Sequence, residues 1–311
     1  MMSKSTQSLR IVFMGTPDFA VASLKALVQT GCNIVGVVTA PDKPAGRGMK
    51  LQGSAVKMYA QEQGLHLLQP QKLKDPQFIE DLRALHADLQ VVVAFRMLPE
   101  VVWNMPPMGT INVHGSLLPQ YRGAAPINWA IINGEKETGV TTFLLKHEID
   151  TGDMLLQDSI PIGEDMTAGE LHDVMKEAGA QLLVRTVEGL SAGSLQPQPQ
   201  PAGGQLQHAP KIFTETARID WKQPAAAIHN LVRGLSPFPG AFTELQGKVL
   251  KIYRSRKEIT THDRVPGTID TDGKTFFRFA CSDGYIQVLE LQLEGKKRMT
   301  VGDFLRGYRF V

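Results

Sequence analysis

At 311 residues, 42% hydrophobic and 21% charged, the chain can bury a full core and has length for two domains. Its polar start leads only to the short apolar run "IVFM", which argues against a signal peptide or membrane span, and two cysteines without CxxC spacing argue against a disulfide framework or thiolate zinc site. The net charge of +2 is split unevenly: from Lys211 onward 17 Lys and Arg face 11 Asp and Glu, a net +6, whereas the first 210 residues hold 16 against 20, a net −4.

In chain order, "LRIVFMG" reads as a buried strand ending at Gly15. Residues 18–30 place Val21, Leu24, Leu27 and Val28 at helical spacing, with Gly31 as a stop. The β-branched run "NIVGVVT" predicts a second strand, followed by a helix over 54–63 and a short strand at "LHLLQ". At "DPQFIEDLRAL", Asp75 caps a helix whose first position is taken by Pro76. Four more strands follow at "LQVVVAF", "TINVH", "TTFLLK" and "MLLQDSIPI". A long helix starts at Thr167, where T-A-G-E forms a capping box, and its expected apolar stripe is Leu171, Val174, Met175, Ala178 and Leu182. This alternation predicts an α/β fold, a mostly parallel sheet with helices on both faces and ligands at the carboxyl ends of its strands.

The stretch 191–210, "SAGSLQPQPQPAGGQLQHAP", has no periodicity and reads as a linker. Beyond it, "VLKIYRSR", "TFFRFA" and "IQVLELQL", separated by "TDGK" and "SDG", predict a small C-terminal β-barrel or sandwich. The expected domains are therefore 1–190 and 211–311, joined by 191–210. The basic excess of the second points to a polyanion, with chance surface composition as the plainer explanation. A reducing cytosol is the expected compartment, since the cysteines show no pairing pattern.

Asn112 and His114, two apart at a strand end, leave the same face of the sheet. An amide donor beside an imidazole suits a carbonyl oxygen on which charge develops, and a histidine can also move a proton. A buried polar pair closing the strand is the competing explanation. Asp150 and Asp153 sit in "EIDTGDML", where a carboxylate could orient an imidazole, although Asp and Gly are also ordinary turn residues. "GTPDFA" is neither a dinucleotide nor a phosphate-loop motif, and the other histidines show no ligand spacing, so no metal is expected. The loop "TAPDKPAGRGMKLQGS", with Lys43, Arg47 and Lys50, could reach a nucleic acid or be an ordinary surface loop.

Taken together, "NVHGSLLPQYRGAAPI" and "IDTGDML" resemble the folate-dependent formyltransferases, whose shared motif is Asn-x-His, then Ser-Leu-Leu-Pro and a distant Asp. "GTPDFA", "PDKPAGRG", "APKIFTETARIDW" and "KKRMTVGDFLRGYR" are similar to the members of that family that act on initiator tRNA, so the resemblance covers nearly the whole chain. It implies a Rossmann-like catalytic domain with an OB-like C-terminal barrel. The implied reaction passes the formyl group of 10-formyltetrahydrofolate, the co-substrate, to the α-amino group of methionine on initiator methionyl-tRNA through a tetrahedral oxyanion. Asn112 and His114 would hold the oxyanion, and Asp150 would orient His114 and help manage the amine's proton. Ser116, Leu117, Leu118 and Pro119 would line the folate site, with the backbone near "AFRMLP" against the pterin. Arg47 would contact tRNA from its loop, and Lys211 from the exit of the linker. A cytoplasmic monomer without metal or membrane partner is expected. The chain departs from the family pattern at Arg96, Gln120 and Glu148, which leaves the fine shape of the folate pocket open. A formyltransferase acting on an amino sugar nucleotide or another small amine would carry the same trio.

Overall fold

The structure, a computed structural model, describes residues 6–45 and 50–310. It divides into two compact units that are not consecutive in sequence: 1–122, 139–160 and 172–207 form the first, and 123–138, 161–171 and 208–311 the second.

The first unit is built on a seven-stranded sheet. In spatial order its strands are Met154–Pro161, Glu137–Leu144, Thr110–His114, Leu89–Val93, Arg10–Gly15, Asn33–Val38 and Leu67–Leu68. The last five run parallel to one another, and Glu137–Leu144 lies antiparallel to Thr110–His114. This is the mostly parallel sheet that the strand–helix alternation predicts, in the Rossmann-like form that the resemblance implies. Ile11 to Met14 and Leu89 to Val93 are all buried, as expected of strands covered on both faces. Val12, Met14, Val38 and Val92 pack on one face with Phe78, Ile79 and Leu82 of the helix Pro76–Ala84. On the other face, Gly179 of the helix Ala168–Ser191 comes close enough that a side chain there would touch Val113. Val113 therefore faces the long helix, and its neighbours Asn112 and His114 face the opposite way, on the Met14–Val92 side.

The local signals act as read. Asp75 accepts from the N–H groups of Gln77 and Phe78, and Thr167 and Glu170 cap each other reciprocally at 2.8 and 3.3 Å. Gly31 ends its helix at φ +75°, a left-handed conformation that suits glycine. One expectation fails: Val174 is 44% exposed, and the buried stripe of the long helix runs through Leu171, Met175, Leu182, Leu183 and Val187. At 3.6 residues per turn, a stripe through 171, 175 and 182 leaves position 174 on its solvent edge. Lys43–Ala45 pairs with Lys50–Gln52 as a small hairpin, and Arg47, between them, lies outside the described residues.

The second unit carries an antiparallel half-barrel in the order Ala241–Leu245, Lys248–Ile259, Gly284–Leu293, Phe277–Ala280, Ile269–Thr271, with Met299–Thr300 also paired to Gly284–Leu293. Its core joins Leu250, Ile252, Phe277, Phe279, Ile286 and Val288 to the helices Ala225–Gly234 and Val301–Gly307. Neither helix was evident from the strand-rich texture of this region, nor was Pro126–Ile132, where Pro126 opens a short helix in a stretch that reads as a loop. Helices of seven to ten residues give only two or three turns in which a period can show, and packing stabilises them more than propensity does.

Within this unit His229 is 3% exposed, with Ser255 Oγ at 3.0 Å from Nδ1 and Asp165 at 3.3 Å from Nε2. Burial lowers its pKa from the ordinary 6.5, outweighing Asp165. The native state therefore resists a proton that the unfolded chain accepts near 6.5. The stability this residue contributes is present above that value and declines as the pH falls below it.

Two measurements check these points. Asp75→Ala removes the cap of an exposed helix start and should cost about 1 kcal/mol by urea unfolding; no loss would make the cap incidental. The urea midpoint should fall between pH 7.5 and pH 5.5, and the fall should be shallower in His229→Gln. An equal fall in both proteins would assign it to other groups.

Candidate active site

Three segments converge in the first unit: the end of the strand Thr110–His114, the loop 115–121, and the turn 148–153. His114 is the last residue of its strand and is 6% exposed. Its Nε2 lies 2.9 Å from the carbonyl oxygen of Tyr121. A carbonyl can only accept, so Nε2 carries the proton, and Nδ1 is the nitrogen left for chemistry. Nδ1 faces Asp150 Oδ2 at 3.8 Å, with the Asp150 side chain 11% exposed. That separation is longer than a hydrogen bond and within the distance of an ion pair. The Phe143 ring stands edge-on to the imidazole, with centroids 6.4 Å apart at 88°. Asn112 is half-buried on the same face, two residues back, so its amide and Nδ1 both border the end of the sheet.

The turn is shaped to deliver Asp150. Asp150 itself is left-handed, at φ +55°, a conformation that Asp adopts more readily than most residues. Gly152 is required, because a Cβ there would lie 1.6 Å from the carbonyl oxygen of Leu144. Asp153 bonds Lys146 at 2.7 Å. Of the two carboxylates in "DTGD", only Asp150 is paired with the imidazole. Gln200 Nε2 donates to the carbonyl oxygens of Asp150 at 2.8 Å and Gly152 at 2.9 Å.

The loop 115–121 is held from inside. Thr141 Oγ1 donates to Ser116 O at 2.6 Å and accepts from the Leu118 N–H at 3.1 Å, and Gln157 Nε2 donates to Leu118 O at 2.9 Å. The Ser116 hydroxyl donates to Gln120 O at 2.6 Å. Ser116 and Leu118 are buried, whereas Leu117 and Pro119 are half-buried, and the peptide before Pro119 is cis. Tyr121 is left-handed at φ +59° and donates its N–H to Gln207 O at 2.7 Å. Gln120 uses its side chain in the same contact, accepting from the Gln207 N–H at 2.8 Å. Arg96 donates to Gln71 O at 3.0 Å and to Pro70 O. Glu148 is exposed, and its carbonyl accepts from Thr151. Two of the three departures thus bind backbone of this unit through their side chains, and none of the three displaces His114 or Asp150.

Beyond the strand end at Val93, Ala94 turns left-handed at φ +46°. Among the described residues, none of the backbone N–H groups from Phe95 to Leu98 is donated to another group. This edge of peptide with undonated N–H groups, beside the loop 115–121, suits a flat heteroaromatic ring that offers its own acceptors. Among the described residues no group of three or more His, Cys, Asp or Glu could hold a metal ion.

Lys211 belongs to the second unit. With Phe213, Arg218, Phe238 and Lys251 it lines a pocket of about 790 Å³. Phe213 and Phe238 are 57% and 82% exposed, and the Lys211 Nζ lies 5.8 Å from the centroid of the Phe213 ring. Sequence reasoning missed Tyr121, Thr141, Gln157 and Gln200. Tyr121 lies within the quoted stretch but acts through its backbone, and the other three carry no motif and act on partners far away in the chain.

Residues 9–187 match the formyl transferase family and residues 211–309 its C-terminal domain. A methionyl-tRNA formyltransferase of Bacteroides fragilis is 55% identical over 310 residues, covering 97% of this chain and 96% of that protein. One from Phocaeicola vulgatus is 58% identical over 313 residues, covering 97% of each. Among solved structures, HypX from Aquifex aeolicus in complex with tetrahydrofolic acid aligns with a TM-score of 0.65 at 19% identity over 96% of this chain, which spans about half, 48%, of HypX. An N-formyltransferase from Helicobacter canadensis aligns at 0.66 with 20% identity, over 90% of this chain and 98% of that one. At such identities the two structures establish the fold alone. With both family domains matched in order and relatives this similar end to end, the chain belongs to the formyl transferase family, within its methionyl-tRNA formyltransferases.

Proposed function

We propose that this chain transfers the formyl group of 10-formyltetrahydrofolate to the α-amino group of methionine on initiator methionyl-tRNA, in the cytoplasm and as a monomer. The observation that carries the mechanism is the buried His114, fixed through Nε2 on Tyr121 O at 2.9 Å and facing Asp150 through Nδ1 at 3.8 Å. The folate co-substrate supplies a formyl carbonyl at its N10 and is held by the peptide of Phe95 to Leu98 and by the loop from Ser116 to Pro119. Asn112 donates its amide N–H to the formyl oxygen as charge develops there. With Nε2 committed to Tyr121, Nδ1 is the atom of His114 that meets the substrates. Its protonated form helps hold the oxygen, and its neutral form can take the amine's proton. Asp150 stabilises the charged ring and shares in moving that proton. As the tetrahedral oxyanion collapses, the C–N10 bond breaks and the proton taken from the amine passes to N10, so that tetrahydrofolate leaves. Positioning the two substrates supplies the rest of the rate, and no covalent intermediate with the protein is involved.

The second unit supplies tRNA contacts. Its sequence from Lys211 onward carries the net +6, and exposed Phe213 and Phe238 beside Lys211 and Arg218 form a cationic, aromatic surface of the kind that holds phosphates and bases. Arg47, which lies in sequence between Lys43–Ala45 and Lys50–Gln52, is proposed as a further tRNA contact. Among the described residues no helix is long and apolar enough to cross a membrane.

The direct test is transfer of labelled formyl from 10-formyltetrahydrofolate to charged against uncharged initiator tRNA. Label on the charged form alone supports the reading. Formate released whatever the tRNA would replace it with hydrolysis, and label on a small amine or amino sugar nucleotide would replace the acceptor. Asn112→Ala should lower kcat roughly 100- to 1,000-fold with an unchanged Tm, and a loss within about threefold would remove Asn112 from the oxyanion role. Lys211→Gln should raise the KM for tRNA roughly 3- to 10-fold, leave kcat alone, and reduce the salt slope of binding by about one. An unchanged salt slope would remove the phosphate contact.

A further inference from the structure

The stretch 191–210 has the composition of a linker, yet part of it is built into the first unit. Gln198 pairs with Met154 through two backbone hydrogen bonds of 2.7 and 2.8 Å, and Gln207 accepts the Tyr121 N–H at 2.7 Å. Between them, half-buried Gln200 makes the contacts that matter. Its Nε2 gives one N–H to Asp150 O at 2.8 Å and the other to Gly152 O at 2.9 Å. Its Oε1 accepts from Arg122, from Nε at 3.1 Å and again from Nη2. Every hydrogen that this amide can donate is used, and its oxygen is held by a guanidinium fork.

Arg122 follows Tyr121, whose carbonyl anchors His114 Nε2. One side-chain amide therefore ties the segment that anchors the imidazole to the turn that carries its carboxylate. Asp150 is left-handed, and its carbonyl and that of Gly152 accept from the same donor, so removing the Gln200 amide takes a hydrogen bond from both ends of the turn at once.

We infer that Gln200 is a positioning residue: it sets the distance and direction of Asp150 relative to His114 by bridging the Asp150–Gly152 turn to Arg122. This rests on the reading of Asp150 as part of the transfer site. The test is a double-mutant cycle on the full-length chain, with transfer to methionyl-tRNA, both KM values and Tm measured for each protein. Gln200→Glu is the informative substitution, because a carboxylate still accepts from Arg122 but offers no N–H to either carbonyl. Gln200→Ala removes both halves of the bridge.

Gln200→Glu should lower kcat roughly 10- to 100-fold, the scale of a misplacement near 1 Å. KM for folate and tRNA should stay within about twofold, and Tm should stay close to the parent value. In an Asp150→Asn background the same substitution should have no further effect on kcat, because what it positions is already gone. Three results would overturn the inference: a kcat within about twofold of the parent, a KM rise at unchanged kcat, or an equal loss in both backgrounds. If Gln200→Ala lowers Tm and kcat while Gln200→Glu lowers neither, the segment is structural and the inference is also overturned. Failure of the underlying reading is distinct: either the unaltered protein formylates no methionyl-tRNA, or Asp150→Asn retains full kcat, and each removes this proposal with it.

Discussion

The hydrogen bond from His114 Nε2 to the carbonyl of Tyr121 is the constraint on which the site depends. It fixes the tautomer, leaves Nδ1 as the nitrogen that is not committed to backbone, and sets the plane of the ring. A buried imidazole without it would swing about two side-chain bonds and could present either nitrogen. A backbone carbonyl is a good anchor for this purpose, because it cannot ionise or rotate away and it moves only if its loop moves.

Much of the surrounding structure keeps that loop still. Thr141 and Gln157 pin the Ser116–Leu118 backbone from the neighbouring strands, the Ser116 hydroxyl closes the loop on Gln120, and the Gln205–Gln207 stretch takes the Tyr121 N–H and the Gln120 side chain. Ser116 is buried and committed within its own loop, so its hydroxyl acts by holding backbone, while Leu117 and Pro119 are the half-buried members of the same motif.

The division of labour follows from sheet geometry. A mostly parallel sheet buried on both faces leaves functional groups only at strand ends, and the neighbouring ends of Leu89–Val93 and Thr110–His114 lie side by side, with Val92 in register with Asn112. One leads into peptide with undonated N–H groups, and the other offers an amide and an imidazole. The second unit meets a different demand, presenting cations and exposed rings around Lys211 on an antiparallel scaffold.

Strand–helix alternation, the Asp75 cap, the Thr167–Glu170 box and the pairing of Asn112 with His114 on one face were legible in the sequence, because each depends on neighbours within a few residues. Short helices such as Ala225–Gly234 were not, since their stability comes from packing on the half-barrel. The resemblance singled out Asp150, whereas residue types alone left it level with Asp153; their difference is physical only in the fold, where the sheet brings residues 36 apart in sequence within 3.8 Å. Gln200 was the least legible. In sequence it is one polar residue in a proline-rich stretch, and its role exists only because two distant backbone segments end within reach of a single amide. Local chemistry is written in residue types and spacing, whereas the meeting of distant segments is decided by the packing that closes around them.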